Sequence, residues 1–174
     1  DLQKFKVIND LFGTRYGDLT LKFLYGNFES HLEHGEYVAR MSADLFSLLL
    51  KTNGKTSIEN RLEAMVQDAN ARIAQTLADN EMTRPYLVTM TAGIYVIDNP
   101  SLPMVQIQDR ANMARKKTGA LTEGGAASGR VCTCRFYRND DNVRLAAEKD
   151  MENRMTVALE TGEFVVYLQP KVDL

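Results

Sequence analysis

The chain has 174 residues, 44% of them hydrophobic and 25% charged, and a formal net charge of -2. That is one ordinary domain plus a little more, with apolar content enough for a packed core, and the charge argues against nonspecific binding to nucleic acid or acidic membranes. No apolar run approaches the ~20 residues that cross a bilayer, and no signal peptide is visible, so a cytoplasmic setting is expected.

Taken in order, Lys4 to Leu11 can form a short helix, broken at Gly13. Asp18 is placed to cap a longer helix with Leu21, Leu24, Tyr25, Phe28 and Leu32 along one face, stopping at Gly35. A hairpin follows: Tyr37 to Met41 runs in, Ser42-Ala43-Asp44 bends, and Phe46 to Leu50 runs out. Beyond the turn at Asn53-Gly54-Lys55, Thr56 and Glu59 have capping-box spacing. They open a helix to about Ala78, with a core stripe of Ile58, Leu62, Met65, Ala69, Ile73 and Leu77.

Tyr86 to Ile97, rich in β-branched and aromatic residues, predicts a long strand, and Val105 to Lys117 a helix. Gly119 to Gly129 reads as a surface loop and Val131 to Phe136 as a last strand. Val143 to Leu159 is a charged helix with apolar Leu145, Met151, Met155 and Leu159, suited to connecting domains. Strands interleaved with helices, one pair of them a hairpin, predict an α/β (α+β) sandwich. Its central sheet contains antiparallel strands, in the ferredoxin or polymerase-palm manner, with helices packed on it.

Cys132 and Cys134 share a strand face and are expected as buried thiols, being poorly spaced for a disulfide or zinc. His31 and His34 have no carboxylate or cysteine cluster in sequence reach and are expected to be solvated.

Three stretches carry a family resemblance. Asp1-Leu2-Gln3-Lys4-Phe5-Lys6-Val7-Ile8-Asn9-Asp10, Phe12-Gly13 with Gly17-Asp18, and Arg40-Met41-Ser42-Ala43-Asp44-Leu45-Phe46 resemble the D-x-D-x-F-K-x-I-N-D, F-G-H-x-x-G-D and R-x-G-G-D-E-F patterns of the GGDEF (diguanylate cyclase) domain. Thr89 to Ile94 is similar to that family's T-x-S-x-G-I strand, and Asp109, Ala111, Lys116 and Gly119 to its D-x-A-L-Y-x-A-K-x-x-G helix. Met113 and Arg115 replace the usual Tyr and Ala. A family member has an apolar strand ahead of the residue matching Asp1. Gly162 to Leu174 resembles the opening of the EAL phosphodiesterase domain, with Gln169 at a ligand position. The expected organisation is a degenerate GGDEF-like domain over 1–136, a linker and connecting helix over 137–160, and the start of an EAL domain over 161–174.

Joining two GTP molecules into a cyclic dinucleotide requires each 3′-hydroxyl to attack the other's α-phosphate, with divalent metal against the phosphates. The resemblance implies Asp1 and Asp44 as carboxylates for Mg²⁺. It implies Asn9 and Asp18 as guanine contacts, Lys116 as a phosphate ligand, and Ser42 and Ala43 as the phosphate-facing turn.

The departures are Ser42 and Ala43 for two glycines, which predicts a crowded or reshaped turn. Leu45 stands for the Glu that would activate the hydroxyl, and leucine can neither take a proton nor hold a metal. Gln3 replaces the second Asp of D-x-D, and the product-inhibition motif R-x-x-D falls on Glu33 to Glu36, where Glu33 reverses the charge. No catalytic residue is expected. The expectation is an inactive GGDEF domain that regulates a following EAL domain, binding GTP with Mg²⁺ or dimerising. The alternatives are an active cyclase and a structural adaptor that binds no nucleotide.

Overall fold

The computed structural model describes residues 1–52, 54–79, 86–122, 129–165 and 167. Lys4, in the left-handed region at φ 54°, turns the chain into helix α1 (Phe5–Phe12). Gly13, at φ 85°, ends α1 by donating its N–H to Asn9 O and leads at once into α2 (Thr14–Ser30). A side chain at Gly13 would oppose that backbone, so the reversal rests on this glycine. Because α2 restarts so soon, it begins a full turn ahead of Asp18, which lies inside the helix instead of capping it.

α2 also stops at Ser30, short of the expected Gly35. Ser30 Oγ and His31 Nδ1 both reach Asn27 O at 2.8 Å, competing for the last-turn carbonyl. His31 is thus half-buried and bonded, with its Nε2 3.6 Å from Asp68, which corrects the expectation that it is simply solvated.

Strands β1 (Tyr37–Ser42) and β2 (Leu45–Leu49) form the antiparallel hairpin, pairing Tyr37 with Leu49 and Ser42 with Leu45, with an irregularity between Arg40 and Ser42. α3 (Lys55–Asp79) starts one residue before Thr56, so Thr56 falls within its first turn and the capping-box expectation fails. Among the described side chains of this helix Ile58, Met65, Val66 and Ala69 are buried, while Leu77 of the expected stripe lies outside them.

β3 (Met90–Ile94) is much shorter than the predicted strand. Before it, Val88 exchanges both backbone bonds with the Asn70 side chain of α3, at 2.7 and 2.9 Å, in place of a strand partner. α4 (Met104–Thr122) runs past Lys117 into the stretch expected to be loop. It leads to β4 (Cys132–Phe136), which pairs parallel with β3, Met90 opposite Cys132. Glu63 of α3 accepts the N–H groups of Val131 and Cys132 at 3.0 and 2.8 Å and so fixes where β4 begins. Cys132 is buried and Cys134 half-buried, both free thiols with their sulfurs 3.9 Å apart. The hydrogen bond with the Cys134 sulfur, and burial after it, push Cys132 up, while the same bond holds Cys134 down.

The fold is α+β, as expected, with the strands in two pairs. Residues 1–3 join them: Leu2 N donates to Asp44 O (3.2 Å), Gln3 N to Thr89 O (2.9 Å), and Thr91 N to Asp1 O (2.9 Å). Leu2 makes an antiparallel bridge with Met90 and is itself buried. Around it the core gathers Ile8, Leu21, Leu24, Phe28, Phe46 and Met65.

Glu36 locks the hairpin to α3. Its side chain is fully inaccessible and accepts two backbone N–H groups, from Glu33 and Lys51, each at 2.7 Å. Arg61 grips both of its oxygens, at 2.5 and 2.6 Å. Arg61, ahead of those backbone donors, holds the Glu36 carboxyl down at about 2.

Residues Asp1–Tyr137 make one compact unit and Arg138–Leu174 a second. The second is built on α5 (Asn139–Glu160), where Met151, Met155 and Leu159 recur every four residues and are exposed. Gln169, with the rest of the expected EAL opening from residue 168 onward, lies outside the described residues.

Candidate nucleotide site

Two places collect the residues singled out from sequence. The first is the hairpin turn and what abuts it. With Ser42 paired to Leu45, Ala43 and Asp44 form a two-residue turn, and Ala43 sits at φ 41°. The turn thus holds a non-glycine residue in the left-handed region, and Arg40 Nε folds back to donate to Ala43 O at 2.7 Å. Ser42 and Ala43 are exposed, while Asp44 and Leu45 are half-buried. Since Leu2 N donates to Asp44 O, the backbones at Asp1 and Asp44 are tied to one another.

α4 supplies the facing wall. Gly93 in β3 lets that helix come close: a Cβ there would stand 2.0 Å from Ala111 O and 2.4 Å from Arg115 N. The approach brings Arg115 onto the Asp1 carboxylate, its Nη1 paired with Asp1 Oδ2. Arg115 Nε also lies 3.4 Å from Asn112 Oδ1. Leu45, Asp109, Asn112, Met113, Arg115 and Lys116 line a cleft of about 470 Å³, with Lys116 exposed at its edge.

The second place is the α1–α2 corner. Asn9 sits near the end of α1, its Oδ1 buried and without a hydrogen-bond partner among the described residues. That oxygen packs on Gly17, where a Cβ would stand 1.9 Å away. Asp18 follows immediately and is exposed. The buried Asn9 Oδ1 is closed to a ligand, but an amide N–H₂ donor near a carboxylate acceptor can offer both hydrogen-bonding senses to a purine edge. Among the described residues, no hydrogen bond or ion pair links this corner to the hairpin cluster. The link is α1 itself, which opens just after Asp1.

The two carboxylates do not fit Mg²⁺ as they stand. The ion takes several oxygen ligands at short range and is repelled by adjacent cations, yet Asp1 is already paired with a guanidinium. Among the described residues, no three His, Cys, Asp or Glu side chains converge as a metal cluster. Sequence analysis noted Arg115 at a position where the resemblance gives alanine but assigned it no role. Its partner could not be found from sequence, because the helix-to-strand approach at Gly93 decides it.

The family profile described as "Diguanylate cyclase, GGDEF domain" matches residues 1–121, and the chain belongs to that family of cyclic di-GMP signalling domains. Over 172 residues it is 24% identical to the bifunctional diguanylate cyclase/cyclic di-GMP phosphodiesterase MucR of Pseudomonas aeruginosa, covering 99% of this chain and 23% of that protein. Over 177 residues it is 24% identical to the cyclic di-GMP phosphodiesterase PdeR of Escherichia coli, covering 99% and 24%. The chain therefore spans about a quarter of the length of these curated relatives.

Among solved structures, the GGDEF domain of PA1120 (TpbB or YfiN) from Pseudomonas aeruginosa superposes with a TM-score of 0.60 at 21% identity, covering 84% of this chain and 78% of that one. The active GGEEF domain of a diguanylate cyclase from Vibrio cholerae gives 0.53 at 24% identity, covering 80% of each chain. At these identities the likeness is one of fold. Among the described residues, no helix is long and apolar enough to cross a membrane.

Proposed function

We propose that this chain is a catalytically silent GGDEF domain that holds a guanine nucleotide and regulates an EAL phosphodiesterase domain beginning near Gly162. The observation that carries the reading is Leu45, which starts β2 beside Arg115 and Lys116 where the family motif has its glutamate. A hydrocarbon side chain there leaves no group to draw the proton from an attacking hydroxyl, and losing such a group costs ~10²–10⁴ in rate. Asn9 and Asp18 take the base and Lys116 a phosphate, next to the Ser42-Ala43 turn. The α5 helix follows, its exposed row of Met151, Met155 and Leu159 suited to a contact with the next domain or with a second copy. Regulation then requires the nucleotide to bind two arrangements of that helix with different affinity.

Titration calorimetry with GTP tests the reading. Heat of binding is expected from the unmutated chain, and a loss of about tenfold or more in affinity from Asn9→Ala and from Asp18→Ala. Chromatography of the same mixtures is expected to show no cyclic di-GMP. Accumulating product would reinstate the cyclase, and absent heat would leave a structural adaptor.

A further inference from the structure

We propose that Arg115 is the built-in cation of this site and that the chain binds guanine nucleotide without a divalent metal. This rests on the nucleotide reading above and deepens it by naming what meets the phosphates. Three observations carry it. Arg115 Nη1 is paired with Asp1, the carboxylate that the family pattern gives to metal. Arg115 and Lys116 line one cleft with Leu45 at the hairpin, and Asp109 is the carboxylate among that cleft's lining residues. The guanidinium is placed by backbone packing, since α4 meets β3 at Gly93 with no room for a Cβ.

The chemistry agrees with this placement. Arginine stays charged at any physiological pH, so Asp1 is offered a permanent counter-ion that needs no assembly from solution. A guanidinium carries five N–H donors. Among the described residues, Asp1 and Asn112 engage Nη1 and Nε, which leaves the Nη2 edge for a phosphate oxygen. A guanidinium N–H on a phosphate oxygen is a charge-assisted hydrogen bond, and Lys116 beside it adds a second positive charge. A divalent ion at Asp1 would have to displace the arginine or sit against it, and like charges at that range oppose each other.

Calorimetry of GTP binding to the 174-residue chain, in EDTA and in magnesium chloride, decides the matter. The expected Kd values agree within about threefold, short of the tenfold step that ~1.4 kcal/mol gives. Arg115→Ala restores the family's residue in a helix that alanine favours. Its affinity in EDTA is expected to fall about tenfold or more, with magnesium recovering part of the loss. In a parallel arm without nucleotide, Mn²⁺ titrated against the unmutated chain is expected to keep its free-ion paramagnetic resonance signal. GTP bound in magnesium but not in EDTA overturns the proposal and leaves the nucleotide reading standing. So does Mn²⁺ captured by the unmutated chain and released by Asp1→Asn. GTP bound under neither condition overturns the nucleotide reading and this proposal together.

Discussion

Ala43 holds a backbone angle that L-residues avoid: at φ 41° its Cβ crowds its own peptide, a strain of about 1–2 kcal/mol that glycine escapes. It persists because the two-residue turn between Ser42 and Leu45 demands a left-handed residue, and because Arg40 and Leu2 bond the turn's carbonyls. Ala43→Gly should therefore raise stability by about 1 kcal/mol, read as a higher urea midpoint at unchanged slope. The resemblance predicted a crowded or reshaped turn at Ser42 and Ala43; it did not show that Ala43 takes the left-handed conformation. That outcome depends on neighbours distant in sequence. Leu45 is different, since its chemical incapacity belongs to the side chain and can be read without coordinates.

The contact between β3 and α4 shows how an element places a charge. Gly93 has Ala111 O and Arg115 N in the space a methyl group would fill, and both are backbone atoms that cannot swing aside. Gly93→Ala should push the helix off the strand, costing about 1–3 kcal/mol. It should also part Arg115 from Asp1, which calorimetry with GTP in EDTA would register as weaker binding. Periodicity located the helices with good fidelity, because α2 and α3 each bury one stripe. The boundaries went astray where a local device intervened: Gly13 restarting a helix early, Asn27 O drawing two side chains, and Asn70 taking the bonds of Val88. None of these has a periodic signature.

Across the Asp1–Tyr137 unit, the Glu36–Arg61 pair does what the hairpin cannot do alone, tying loop, strand exit and α3 at one buried carboxylate. Removing one partner of a buried pair strands the other, so Arg61→Ala should cost about 3–5 kcal/mol in chemical denaturation. The pair also sets an acid limit. Glu36 is lowered from 4.5 to about 2 in the folded chain, so its unfolded form binds a proton first as pH falls. Its stabilisation is fully present above about pH 4.5 and is lost as pH drops toward 2. Thermal melts across that window should lose midpoint steadily, and Glu36→Gln should flatten the slope while lowering the plateau. Sequence comparison placed Glu36 at the end of a ligand motif, but the fold has used its oxygens internally.

The order of elements, the hairpin, the family and the hydrocarbon side chain at Leu45 were all legible in the amino-acid sequence, because each depends on residue type and spacing along the chain. That Asp1 meets an arginine, that Asn9 packs its oxygen on Gly17, and that Glu36 is spent on Arg61 were decided only by the tertiary structure. Each of these pairs a residue with a partner far along the chain or across a helix corner. The packing of elements selects those partners: α4 against β3 at Gly93, the Asn9 side chain against Gly17, and the Glu36 carboxylate against Arg61 of α3.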